Sequence, residues 1–185
     1  MKKTFLIGIL LFGLALSACG SGNNASYKFK NQYKIFVDDD NSEVISGAIS
    51  FDNWFAEANW LSVNENSGHI DSLIAKSAGS IINSGDYFLL VFTGSWCTEC
   101  RTQLPIIKRV IDVGKFDEKK VQLLGVDKNN TVWKHEKLDI RTDKYPTVVV
   151  MYQSKEIGRI VGFPQNSWEY DILQVLYRGD SYSSL

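Results

Sequence analysis

The sequence predicts an α/β fold: a mixed, partly parallel central sheet with helices on both faces. Three observations predict it. Continuous apolar runs at 87–92 (YFLLVF), 121–126 (VQLLGV) and 147–152 (TVVVMY) have the length and the Val, Leu and Phe content of strands buried on both faces. Helical periodicity falls before, between and after these runs. A short hairpin partner, 157–161, follows the last run after Lys155 and Glu156. Strands that alternate with helices make a parallel sheet, and the hairpin closes it antiparallel.

The elements follow in order. Residues 27–37 are aromatic and basic with partial alternation, as in a strand, and Asp38-Asp39-Asp40-Asn41 reads as a turn. A second short strand is expected at 43–49. Phe51, Trp54, Phe55 and Trp60 follow on a short helix and are expected to pack onto the core, as large aromatics do, rather than to form a partner surface. Ile70, Leu73, Ile74, Ala75, Ala78 and Ile81 give helical spacing, stopped by Asn83-Ser84-Gly85. After the strand at 87–92, Leu104, Ile107, Val110 and Ile111 mark a helix with Gly114 as its stop. Asp127-Lys128-Asn129-Asn130 closes the second strand, and 131–138 is expected to form a short helix. The last helix runs from about Gln165 to Tyr177, with Trp168, Ile172, Leu173, Val175 and Leu176 as its apolar residues.

The chain has 185 residues, enough for one domain of ordinary size, and its 44% hydrophobic content can form a core without disulfide staples. A formal net charge of −1 speaks against a nucleic-acid partner. The N-terminus reads as an export signal. Lys2 and Lys3 precede an apolar run, residues 5–16, that is short for a membrane span and ends in Leu16-Ser17-Ala18-Cys19. Residues 1–18 are therefore expected to be a signal peptide, 19–26 (with GSGNNAS at 20–26) a flexible tether, 27–66 an N-terminal extension and 67–185 the main domain. A cysteine directly after Leu-Ser-Ala resembles the bacterial lipoprotein signal, which implies a lipid on Cys19 and an exported chain tethered to a bacterial membrane.

With Cys19 set aside, Cys97 and Cys100 remain, spaced C-x-x-C. They fall where a buried strand ends and a helix begins. Unpaired amide N–H groups and the helix dipole favour negative charge there, and so favour thiolate over thiol. The two-residue spacer brings Cys100 round one helical turn to meet Cys97. Cys97 is then expected at the exposed helix start with Cys100 deeper, and Trp96 partly covering the pair. Cys97 would attack a substrate disulfide and Cys100 would resolve the mixed disulfide. Three other readings compete. A zinc site needs four ligands, usually paired, and only His69 and His135 are on hand, each alone; no metal is expected. A structural staple would close too small a loop to gain much. A fold that has lost its activity is the third.

These residues resemble the thioredoxin superfamily, over about residues 68–180. Trp96-Cys97-Thr98-Glu99-Cys100 is similar to the family's active-site motif. Pro105 matches the proline of its active-site helix, and Tyr145-Pro146-Thr147 matches its cis-proline loop. The resemblance implies a three-layer thioredoxin-like fold. It implies that Tyr145 touches substrate through its backbone and that Pro146 keeps the site's shape. Gly162 matches a glycine near the substrate groove, and Asp127 an aspartate that ends the central strand. The chain departs from the pattern where Val91 and Leu123 replace the buried aspartate and the lysine of thioredoxins. The proton acceptor for Cys100 is thus unassigned. Glu99 is the nearest candidate in sequence, or else a solvated first-turn carboxylate. A negative Glu99 beside Cys97 opposes thiolate formation and Arg101 favours it.

The expected function is an extracytoplasmic, lipid-anchored thiol–disulfide oxidoreductase that reduces disulfides in protein substrates. It needs no cofactor beyond the Cys97–Cys100 dithiol, draws on a membrane electron donor, and is expected to be monomeric. A disulfide oxidase or isomerase, or a surface binding module without redox turnover, are the alternatives.

Overall fold

The computed structural model describes residues 29–60, 68–136 and 138–178, and the backbone of 182 and 183. The expected signal peptide, tether and Cys19 lie outside the described residues, as does the start of the first expected strand. Seven strands form one sheet in the order β1-β2-β4-β3-β5-β6-β7. They are β1 (Gln32–Val37), β2 (Glu43–Ile49), β3 (Tyr87–Thr93), β4 (Val121–Gly125), β5 (Thr147–Tyr152), β6 (Lys155–Val161) and the two-residue β7 (Tyr182–Ser183). Among the described residues four α-helices complete it: α1 (Phe51–Glu57), α2 (Ser72–Ser84), α3 (Thr98–Gly114) and α4 (Trp168–Arg178). The fold is the α/β, thioredoxin-like one expected, with a mixed sheet: β3 runs parallel to β4 and antiparallel to β5.

Each face of the sheet carries its own core, because successive strand side chains alternate between faces. Leu89 and Val91 of β3, with Val148 and Val150 of β5, pack against Trp54, Ala78, Ile107, Val110, Ile172 and Val175 of the helices. Phe88, Leu90 and Phe92 point the other way, with Leu124, Val149 and Met151. That second core is closed by Cys100 from the first turn of α3, by Trp96 and Tyr145, and by Val126 and Val132 of the connection between β4 and β5. Helical residues thus reach both cores, and the long connection covers most of the second.

Among the described residues of the short helix expected at 131–138, none is helical; 131–136 run through turns. Asp127 explains part of this. Its carboxylate accepts N–H bonds from Asn129 (2.9 Å) and Thr131 (2.8 Å), which fixes a side-chain-bonded turn that competes with helix nucleation. Asn130 and Lys134 also adopt positive φ, which a right-handed helix cannot contain. Gly114 is not the stop of α3 but its last helical residue; Lys115 ends the helix at φ 54°. Gly114 is glycine for close packing instead. A Cβ on Gly79 of α2 would stand 2.0 Å from the Gly114 carbonyl oxygen, so the two backbones touch. Leu73, expected on the core face of α2, is 77% exposed, and Ile82 takes the buried position.

The N-terminal hairpin enters the same sheet. β2 pairs antiparallel with β4 at three positions only, Gly47 with Gly125, Ala48 with Leu124 and Ile49 with Leu123. Residues 43–46 therefore overhang the end of β4, and side chains supply their partners. The Ser95 hydroxyl accepts from Ile45 N (3.1 Å) and donates to the Glu43 carbonyl (3.0 Å). The Ser46 hydroxyl donates to the Thr131 carbonyl (3.1 Å) and accepts from Trp133 N (3.0 Å). Trp54 and Phe55 are buried, as expected of aromatics packed onto the core. Among the described residues no helix is long and apolar enough to cross a membrane.

Candidate active site

The site stands at the junction of β3 and α3. β3 ends at Thr93, and residues Gly94 to Trp96 turn the chain, with Cys97 N donating to the Gly94 carbonyl (3.1 Å). Cys97 is the N-cap of α3, with extended backbone (φ −91°, ψ 116°). Its Sγ accepts the Cys100 N–H at 3.1 Å, satisfying one of the amide donors a helix start leaves open. Cys97 and Cys100 are joined as a disulfide, with Cα atoms 5.2 Å apart.

Cys97 is 6% exposed and Cys100 0%, so the order of depth is as expected but Cys97 is far less open than a bare helix start. The neighbouring rings account for this. The Trp96 indole donates to the Val126 carbonyl (3.2 Å), lies against Gly94, where a Cβ would come within 2.7 Å of it, and meets the Tyr145 ring edge-on at 5.6 Å. Trp96 and Tyr145 so form a wall beside the disulfide.

The Tyr145–Pro146 peptide bond is cis. The loop that carries it faces the cysteines: the Tyr145 carbonyl oxygen is 3.6 Å from Cys97 Sγ. The Pro146 carbonyl accepts from Gly162 N (2.8 Å), which ties the loop to the end of β6. The Tyr145 hydroxyl sits 2.8 Å from both the Asn130 side-chain oxygen and the Thr142 carbonyl. Its single hydrogen serves one of them, and turning the Asn130 amide over would satisfy both. Burial, with the Asp127 and Asp143 carboxylates, pushes this phenol up to about 12, so it stays a donor at any ordinary pH.

Glu99 and Arg101 are exposed on the first turn of α3, and the Glu99 carboxylate approaches Cys97 Sγ to 3.9 Å. Val91 and Leu123 are buried in the apolar core, so neither β3 nor β4 puts an ionisable group there. Pro105 lies buried inside α3, where its missing N–H leaves the Arg101 carbonyl without a helical donor. His69 and His135 are apart from the cysteines in sequence; among the described residues no cluster of three or more His, Cys, Asp or Glu is placed to hold a metal ion. Burial lowers the His135 imidazole from its ordinary value, with Glu136 opposing the shift.

Sequence reasoning missed Ser95 as the residue that anchors the active-site turn to β2. Its partner Glu43 is 52 residues away, and no local pattern announces such a contact.

The family model described as Thioredoxin matches residues 73–172. Two solved structures are similar to the chain. One is a protein of unknown function from Pseudomonas aeruginosa, 18% identical, covering 70% of this chain and 74% of that one with a TM-score of 0.34. The other is an HIV epitope scaffold, also 18% identical, covering 70% of this chain and 72% of that one with a TM-score of 0.32. No curated protein matches the chain.

Proposed function

The chain belongs to the thioredoxin family, and from that premise we propose that it is an extracytoplasmic, lipid-anchored thiol–disulfide oxidoreductase that reduces disulfides in protein substrates. The observation that carries this reading is the Cys97–Cys100 disulfide capping α3, with the Tyr145 carbonyl 3.6 Å from Cys97 Sγ. A cysteine that caps a helix is the one whose thiolate the open amides favour. Cys97 is also the less buried of the pair, and so the one a substrate reaches first.

The chemistry balances within the pair. In the reduced protein the Cys97 thiolate attacks one sulfur of a substrate disulfide, and the other sulfur leaves as a thiolate. Cys100, deprotonated, then attacks Cys97 Sγ; the second substrate sulfur leaves and the Cys97–Cys100 disulfide forms. Two electrons have passed from protein to substrate. A membrane electron donor returns them, and a lipid on Cys19 keeps the domain beside that donor. Support for export and lipidation comes from the order of Lys2, Lys3, the apolar run and Leu16-Ser17-Ala18-Cys19.

The reducing direction is supported by Glu99. A carboxylate 3.9 Å from Cys97 Sγ disfavours the thiolate. Strong oxidants of this chemistry work the other way, by stabilising their reduced form. The test is turnover: the full chain, reduced beforehand, should reduce a peptide disulfide, and Cys97→Ser should not. A Cys97→Ser protein that reduces nothing yet keeps full cellular function would point to a binding module instead.

A further inference from the structure

The connection between β4 and β5 leaves a cavity of about 160 Å3 against the second face of the sheet. Buried Phe92, Val126, Val132 and Thr142 line it, together with the exposed Asn129 and Asn130. Glu136 and Arg141, of opposite charge, are exposed at its edge. Tyr145 is shared between cavity and redox site. Its carbonyl faces Cys97 Sγ at 3.6 Å, while its side chain lines the cavity and its hydroxyl meets Asn130 and Thr142.

We propose that this cavity is a specificity subsite for one side chain of the substrate strand: an uncharged one with an apolar stem and a hydrogen-bonding tip, the class of glutamine and asparagine. The inference rests on the redox reading above and names the substrate feature that the site selects. Size argues for a single side chain, since the cavity is smaller than the about 300–1,000 Å3 of drug-sized ligand sites. Reach argues for a residue near the reacting cysteine. Tyr145 belongs to both site and cavity, and alternate residues of an extended strand point the same way at about 6–7 Å spacing, so the position two residues from the cysteine is the one to vary.

The lining decides the chemistry. Phe92, Val126 and Val132 take methylene groups. Asn129 is an uncharged amide, able to pair with another amide through both donor and acceptor, while Asn130 already gives one side-chain group to the Tyr145 hydroxyl and keeps the other. Thr142 is already spent: its hydroxyl bonds the Lys144 carbonyl (2.9 Å) and the Thr147 hydroxyl (3.0 Å). His135, which also lines the cavity, is lowered by burial and so stays neutral at pH 7. A lysine or glutamate placed inside would be desolvated, and the charged residues of the lining, Glu136 and Arg141, are exposed and of opposite sign.

The test uses the full chain, reduced with dithiothreitol and freed of it, in single turnover with peptide disulfides. The peptides differ only two residues from the cysteine, where they carry Gln, Leu, Lys or Glu. Bis(2-hydroxyethyl) disulfide serves as a substrate without a side chain. The Gln peptide should react at least about tenfold faster than the Lys and Glu peptides. Ile140→Trp, which fills the cavity from its lining, should erase that preference and leave the small disulfide's rate unchanged. Equal rates for all four peptides on the unaltered protein would overturn the subsite, whether or not the variant folds. So would a preference that survives in Ile140→Trp. Failure to reduce even the small disulfide would remove the redox reading itself, and the subsite with it.

Discussion

The carbonyl oxygen of Tyr145 lies 3.6 Å from the Sγ of Cys97, across 48 residues of sequence. That approach joins two loops: the turn between β3 and α3, and the connection that leads into β5. A strand bound by the Tyr145 backbone would have its own sulfur beside Cys97. Cys97→Ser should therefore abolish reduction of peptide disulfides, while Cys100→Ala should leave partners attached to Cys97. Non-reducing electrophoresis reads both outcomes. Attachment to Cys100 in a Cys97→Ala protein, in place of Cys97 in Cys100→Ala, would reverse the assignment of attacking and resolving thiols.

Glu99 sets a second expectation. The carboxylate is 3.9 Å from Cys97 Sγ, yet exposed, so water screens most of their interaction. Glu99→Gln should lower the pH at which Cys97 becomes half reactive to iodoacetamide. The same change should raise the reduction potential, because it favours the reduced form. A rise in the alkylation midpoint would mean that Glu99 acts on Cys97 otherwise than by charge.

Ser95 joins the active-site turn to β2 with one hydroxyl and two bonds, to Ile45 N and the Glu43 carbonyl. Ser95→Ala strands both backbone groups where β4 has ended, and should cost about 1–2 kcal/mol in urea unfolding. Amide exchange should rise at Ile45 ahead of β3. Unchanged exchange there would show that the overhang of β2 holds without the serine.

Helices α2 and α3 meet through glycine. Because a Cβ on Gly79 would stand 2.0 Å from the Gly114 carbonyl, Gly79→Ala must push the helices apart and loosen the packing around them. The expected loss is about 1–3 kcal/mol, against the small gain that Gly→Ala brings in an unhindered helix. A stabilised Gly79→Ala protein would contradict the close contact.

Asp40 gives a pH dependence with a definite sign. Its carboxylate accepts from Lys128 and from the hydroxyl and N–H of Ser42, which hold it down to about 2. An ordinary aspartate titrates near about 3.9. The folded state therefore binds this proton less readily than the unfolded chain. The contribution is whole above about pH 4 and is lost as the pH falls toward about 2. Asp40→Asn should be less stable than the native protein at pH 6 and equal to it below pH 2. Added salt should narrow the difference, since the pair is at the surface.

The sequence made some elements plain and hid others, for physical reasons. β2 at 43–49 and β5 at 147–152 have the expected bounds, because a run of β-branched and apolar residues between polar turns has one reading. Cys97, Trp96 and the cis-proline loop were legible as motifs. The lack of helix among the described residues of 131–138 was decided by the Asp127 side chain and by positive φ at Asn130 and Lys134, which spacing does not encode. Gly114 reads as a stop in sequence and is a contact in space, since a glycine's use depends on what approaches it. The low exposure of Cys97 arises from Trp96 and Tyr145 meeting beside it, a contact between residues 49 positions apart. Ser95 and Ser46 were silent for the same reason: small polar residues acquire a role only from distant partners.

The most direct measurement is the reduction potential of the Cys97–Cys100 pair, taken by equilibrating the full chain in dithiol–disulfide buffers and trapping free thiols. A reductase should show one two-electron transition at about −270 mV, the range of a reducing dithiol. A value of about −120 mV would contradict that reading and make the protein a donor of disulfides.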